Sequence, residues 1–177
     1  MTFLSPADRN LILTGYTGPN QPAIAQQVAS QFGMRFVSVD MLLEERAEMS
    51  LDDLRNHYGE ARLKTLEAEV MRDVLLYRGV VLRVSGQTLL HADYAPRLQA
   101  TGPIICLVVT LGAVLRRLHL QLGARYHNPN ERALAIAHLK REWAVRQLAG
   151  IYELDVTYIN EAEMISAVVA HWREAAR

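Results

Sequence analysis

Cysteine is almost missing from this 177-residue chain; Cys106 stands alone, so no internal disulfide can form. Its setting, "PIICLVVT", reads as that of a small buried hydrophobe in a reducing compartment rather than a nucleophile. Neither sign of charge is in excess: 19 basic residues face 19 acidic ones, for a formal net charge of zero. That balance argues against broad attraction to nucleic acid or to an anionic membrane. No apolar run is long enough to span a bilayer. The opening "MTFLSPADRN" lacks the basic start and apolar core of a secretory signal. A cytoplasmic protein is the default expectation. The six histidines show no tight metal-ligand spacing, so no metal site is expected. No G-x-S-x-G or Cys–His signature points to a hydrolase.

Half of the residues are hydrophobic and 21% are charged, as suits one globular domain over 1–177. Five short apolar runs read as strands: "NLILT" from Asn10, "RFVSV" from Arg35, "VVLRVS" from Val80, "IICLVV" from Ile104 and "DVTYI" from Asp155. Between them, residues 22–32, 60–78, 111–121, 131–148 and 161–174 carry helical periodicity. Ser50 and Asp53 form a capping box for a short helix over 51–57. Apolar strands alternating with helices predict a parallel sheet covered on both faces, a three-layer α/β/α fold. The segment "LGARYHNPNE", about 122–131, collects Gly, Asn and Pro between two helices. It is expected to be a loop, either a plain connection or a mobile lid carrying Arg125.

The stretch "LILTGYTGPNQPAIAQQVA" has the rhythm of a phosphate-binding loop, a strand and a glycine turn leading into a helix. Such a loop needs G-x-x-x-x-G-K-[ST]. From Gly15, the register ends on Asn20, Gln21 and Pro22. The turn-forming half survives in Gly15, Gly18 and Asn20, and Pro22 suits a first helical turn. The chemical half does not. Gln21 has no charge for a phosphate, and Pro22 has neither a hydroxyl for magnesium nor an N–H. Each charged hydrogen bond is worth about 1.5–3 kcal/mol, so losing two or three is severe for phosphoryl transfer.

With these residues in view, the chain resembles the shikimate kinases, collinearly from about Asn10 to Trp172. The family's Asp-x-Asp after the second strand has its counterpart in "SVD": Ser38 replaces the magnesium-side acid, while Asp40 keeps the substrate-side acid and would be the catalytic residue of an active enzyme. Asp40 also reads as a helix N-cap. Where the family has a substrate-gripping arginine in Phe-Arg-x-x-Glu, "LKTLE" supplies Lys64 and Glu67; the same pair also reads as a solvated helix face. The Gly-Gly-Gly turn becomes Ser85, Gly86 and Gln87. Arg125 is the nearest match to the lid arginine, and Arg117 matches one on the preceding helix. Arg146, counted from "DVT", matches the carboxylate-binding arginine before the last strand.

The resemblance implies a five-stranded parallel sheet in the order 2-3-1-4-5. Residues serving nucleotide are absent together, while Asp40, Lys64 and Arg146, on the acceptor side, persist. The expectation is a catalytically impaired domain that binds a small organic anion, a shikimate-like carboxylate or an acyl-CoA type ligand, through Asp40, Lys64, Gly86, Gln87 and Arg146. No cofactor is expected. The alternative is an active kinase using ATP and magnesium with an atypical loop, and a third reading is an interaction protein with a vestigial pocket and an unknown protein partner.

Overall fold

The computed structural model describes residues 6–15 and 21–175, with backbone alone at 6, 121, 122, 125 and 126. Gly18 and Asn20 of the phosphate-type loop therefore lie outside the described residues. The strands are β1 (Leu11–Gly15), β2 (Arg35–Ser38), β3 (Val80–Arg83), β4 (Ile104–Val108) and β5 (Ile151–Asp155). They form one sheet, ordered β2-β3-β1-β4-β5, and every pairing is parallel. The helices are α1 (Gln21–Phe32), α2 (Val39–Ala47), α3 (Leu51–Val74), α4 (Gly86–Leu90), α5 (Tyr94–Gln99), α6 (Leu111–Leu122), α7 (Pro129–Trp143) and α8 (Glu161–Ala175).

The period-2 alternation of the strands divides the core in two. Leu11, Leu13, Ile105 and Leu107 face α1, α6 and α8. Ile12, Leu82, Ile104 and Cys106 face α2, α3, α4 and α5. Every residue of the central β1 and β4 is buried, which is why both read as unbroken apolar runs. Cys106 is fully buried, and desolvation pushes its thiol up to about 12. No helix among the described residues is long and apolar enough to cross a membrane.

Three expectations are corrected. The last strand is Ile151–Asp155, not "DVTYI". It is an edge strand paired with β4 alone, and Tyr152 and Glu153 are exposed, so it lacks the apolar run of an inner strand. The segment expected to be a loop at 122–131 is mostly helical. A 3-10 turn fills Gly123–His127, and Asn128 then caps α7, with Pro129 in its first turn. The helices expected at 51–57 and 60–78 are one kinked unit. Ser50 caps it as anticipated, its Oγ accepting from the Asp53 N–H at 3.1 Å, and Gly59 bends it at φ +77°.

Candidate functional site

Parallel strands deliver their chain ends to one edge of the sheet, where crossovers leave a crevice. At that edge the end of β2 turns directly into α2. Ser38 is the N-cap, its Oγ accepting from the Met41 N–H at 3.4 Å. Asp40 sits in the first turn, so it is not the cap. The end of β3 turns into α4 in the same way, with Ser85 Oγ accepting from the Thr88 N–H at 3.1 Å. The kinked α3 passes in front of both turns.

Together these elements enclose a cavity of about 230 Å³. Asp40, Lys64 and Gln87, three of the residues singled out in the sequence, line it, together with Arg55, Glu67 and His91. Lys64 is exposed. Glu67 accepts from Thr88 Oγ1 at 2.8 Å, and burial raises its carboxyl above the usual range.

Two residues that the sequence reading did not single out organise this region. Arg83, at the end of β3, donates from Nη1 to Asp40 Oδ2 at 2.7 Å, and its side chain is only 12% exposed. Its Nε is buried and has no partner among the described residues. A charge inside the apolar run "VVLRVS" was the available signal: a charged residue in a strand otherwise made of valine and leucine requires a counter-charge. The second is Glu142 on α7, 2% exposed, whose Oε2 accepts from the Gly86 N–H at 2.7 Å. Desolvation is the main cause that raises its carboxyl. A Cβ on Gly86 would come within 2.1 Å of the Glu142 carbonyl oxygen, so the backbones meet there as closely as glycine permits. No local pattern marks Glu142, because its partner lies 56 residues away in the chain.

Arg146 is not among the residues lining the cavity. It lies in the 3-10 turn Ala144–Gln147 and pairs with Glu153 of β5 at 2.7 Å. Its spacing was counted from "DVT". That motif begins at Asp155, the last residue of β5, so the match does not depend on where the strand starts. Arg117 is half-buried on α6. The backbone of Arg125 lies in the 3-10 turn before α7, and its side chain is outside the described set.

The start of the phosphate-type loop is described at both ends. Gly15 has φ +88°, and a Cβ there would strike the Leu107 carbonyl oxygen at 2.2 Å, so the position requires glycine. At the far end, Gln21 is 1% exposed and its Nε2 donates to the Thr14 carbonyl at 3.2 Å. The side chain at the lysine position thus folds back onto β1. Gln21 Oε1 and Thr14 Oγ1 are both buried without a partner among the described residues.

Comparison with known proteins places this geometry. The shikimate kinase family model matches residues 22–172. A shikimate kinase of Geobacter sulfurreducens is 32% identical over 114 residues, covering 64% of this chain and 63% of that protein, so the match spans less than two thirds of that relative. One from Xylella fastidiosa is 26% identical over 180 residues, covering 97% and 98% of the two chains. Among solved structures, shikimate kinase from Bacteroides thetaiotaomicron superposes with a TM-score of 0.75 at 22% identity, over 95% of this chain and 98% of the other. Shikimate kinase from Acinetobacter baumannii in complex with shikimate gives 0.76 at 17% identity, over 96% and 95%. At these identities the structural likeness concerns the fold.

Proposed function

Because this chain belongs to the shikimate kinase family, we propose that it keeps the family's acceptor-binding cavity and has lost phosphoryl transfer. The carrying observation is Gln21. The position that should present a cation to a triphosphate holds a neutral side chain, buried and bonded to the Thr14 carbonyl. Pro22 offers no hydroxyl and no N–H, and Ser38 Oγ serves as a helix cap. These described residues do not fit a magnesium-bound triphosphate. The Arg83–Asp40 pair points the same way. A carboxylate that already accepts from a guanidinium is a fixed hydrogen-bond acceptor, poorly placed to take a proton from an attacking hydroxyl.

The ligand in this reading is a small hydroxylated carboxylate. Lys64 meets its carboxylate, and Asp40 and Gln87 take its hydroxyls. Gly86 contributes shape rather than a donor, since Glu142 already holds its N–H. Arg146, held by Glu153 outside the cavity lining, is not needed for this contact, and Arg125 is kept as the lid residue of this reading. The test is calorimetry with shikimate and related small carboxylates, beside melting curves with and without magnesium-ATP. We expect saturable binding that Lys64→Met weakens about tenfold, the scale of one charged hydrogen bond in a partly solvated site. We expect no magnesium-ATP shift in Tm. A shift together with a phosphorylated product would overturn the reading and favour an active kinase, the activity named for the relatives.

A further inference from the structure

The opposite edge of the sheet, where the strands begin, carries a second and larger hollow of about 540 Å³. Thr101 and Arg78, which precede β4 and β3, place it there. Its lining joins Arg72, Arg78 and Arg97 to the apolar Leu75, Leu76 and Ala100, and none of the lining residues is acidic. In a chain of zero net charge, three guanidinium groups in one concavity form a local excess.

The three cations come from different parts of the chain, and none is neutralised tightly among the described residues. Arg78 Nη1 donates to the carbonyls of Leu75 at 2.9 Å and Tyr77 at 2.7 Å. Those bonds fix the guanidinium and cover carbonyls at the end of α3 that would otherwise repel an anion. Arg72 reaches the carbonyl of Ala68 on its own helix, at 3.4 Å. Arg97 meets Asp93 at 3.6 Å, with both side chains more than half exposed, a weak surface pair. Asp73, beside Arg72 in sequence, is taken by Arg46 at 3.0 Å. Leu76, 76% exposed, is a large apolar side chain left in water at the edge of this basic hollow.

We propose that this hollow is a second ligand site, taking a small organic phosphate. The guanidinium groups bind the phosphoryl oxygens in their planar forks, and Leu75, Leu76 and Ala100 cover the organic body. A short, open hollow with three cations suits a compact dianion better than an acidic peptide, which would need a longer basic track. The site lies beyond the acceptor cavity along the same helix. Glu67 and Arg72 are five residues apart on α3, about 7.5 Å along its axis.

The test is an NMR titration at physiological salt with phenyl phosphate, beside inorganic phosphate and a short acidic peptide. Saturable shifts are expected at the Ala100 and Thr101 amides and the arginine Nε–H signals, with phenyl phosphate binding more tightly than inorganic phosphate. Replacing Arg72, Arg78 and Arg97 together by glutamine is expected to weaken phenyl phosphate at least about tenfold. Lys64→Met, in the other cavity, is expected to leave it unchanged. If the triple variant loses its fold, Leu76→Ser decides, weakening phenyl phosphate but not inorganic phosphate. The proposal is overturned by any of four results: no saturable shift, equal affinity in a folded triple variant, loss of binding in Lys64→Met, or binding of the peptide alone.

Discussion

Glu142 holds its carboxyl where solvent scarcely reaches, with the Gly86 N–H as its one hydrogen-bond donor among the described residues. Desolvation raises its folded-state pKa above 4.5, against smaller lowering effects from Gly86, Arg83 and Arg141. An acid with a raised folded pKa binds more protons folded than unfolded. Its stabilising contribution is complete below pH 4.5 and is lost as pH rises through the folded value. The ionised form is therefore a cost at neutral pH. Glu142→Gln keeps an oxygen for Gly86 and removes the buried charge. The variant is expected to melt above the parent at pH 7, with the gain shrinking as pH falls toward 4.5; thermal scans across that range check it. A parent that is more stable than the variant at pH 7 would mean that Arg83 and Arg141 compensate the charge in full. Sequence could name Asp40 and Lys64 through the resemblance to family motifs, "SVD" and "LKTLE", which are short and local. It could not name Glu142, whose role depends on a packing contact between α7 and the turn after β3.

At the level of elements, legibility followed burial. The fully buried β1 and β4 were read nearly to the residue, since a strand covered on both faces must be apolar throughout. The edge strand β5 was placed four residues late, because its outward side chains carry no such constraint. The helix caps at Ser50, Ser85 and Thr110 are all side chains accepting from an N–H three residues on, a strictly local chemistry. The short α4 and α5 were missed, being too brief to show a period. The kink in α3 rests on Gly59, at φ +77° and ψ 172°, outside the range that side-chain-bearing residues adopt readily. Nothing would clash with an added Cβ there, so the strain is purely in the backbone. Gly59→Ala is expected to cost about 1–3 kcal/mol, read as a lowered denaturant midpoint. Because Leu51, Arg55, Lys64 and Glu67 line the cavity at the strand ends from both sides of the kink, affinity for the proposed ligand should fall with it.

Across the whole molecule, Asn10 acts as a tie point, fully buried ahead of β1. Its Nδ2 donates to the Tyr77 carbonyl at 2.8 Å and to Thr101 Oγ1 at 3.0 Å, and its Oδ1 accepts from the Val80 N–H at 3.1 Å. Its carbonyl accepts from Trp172 Nε1 at 3.3 Å, reaching α8. One side chain and its backbone thus join β1, β3, the approach to β4 and the last helix. Asn10→Leu would leave the Val80 N–H buried without its acceptor and take a donor from Thr101 Oγ1, while the Tyr77 carbonyl keeps Arg78. The expected loss is about 3 kcal/mol, or roughly 10 °C in Tm. A fall of only a degree or two would mean that water enters to replace the amide.

The sequence by itself determined the layers, the parallel strand pattern and the kind of chemistry missing from the phosphate-type loop. Those follow from periodicity, burial and residue type within a few neighbouring positions. Tertiary structure alone decided that Gln21 turns inward to Thr14, that Arg83 holds Asp40, and that Glu142 holds Gly86. It also gathered Arg72, Arg78 and Arg97 into one hollow. These contacts join residues from separate parts of the fold, and a chain specifies them only through how its helices and strands pack.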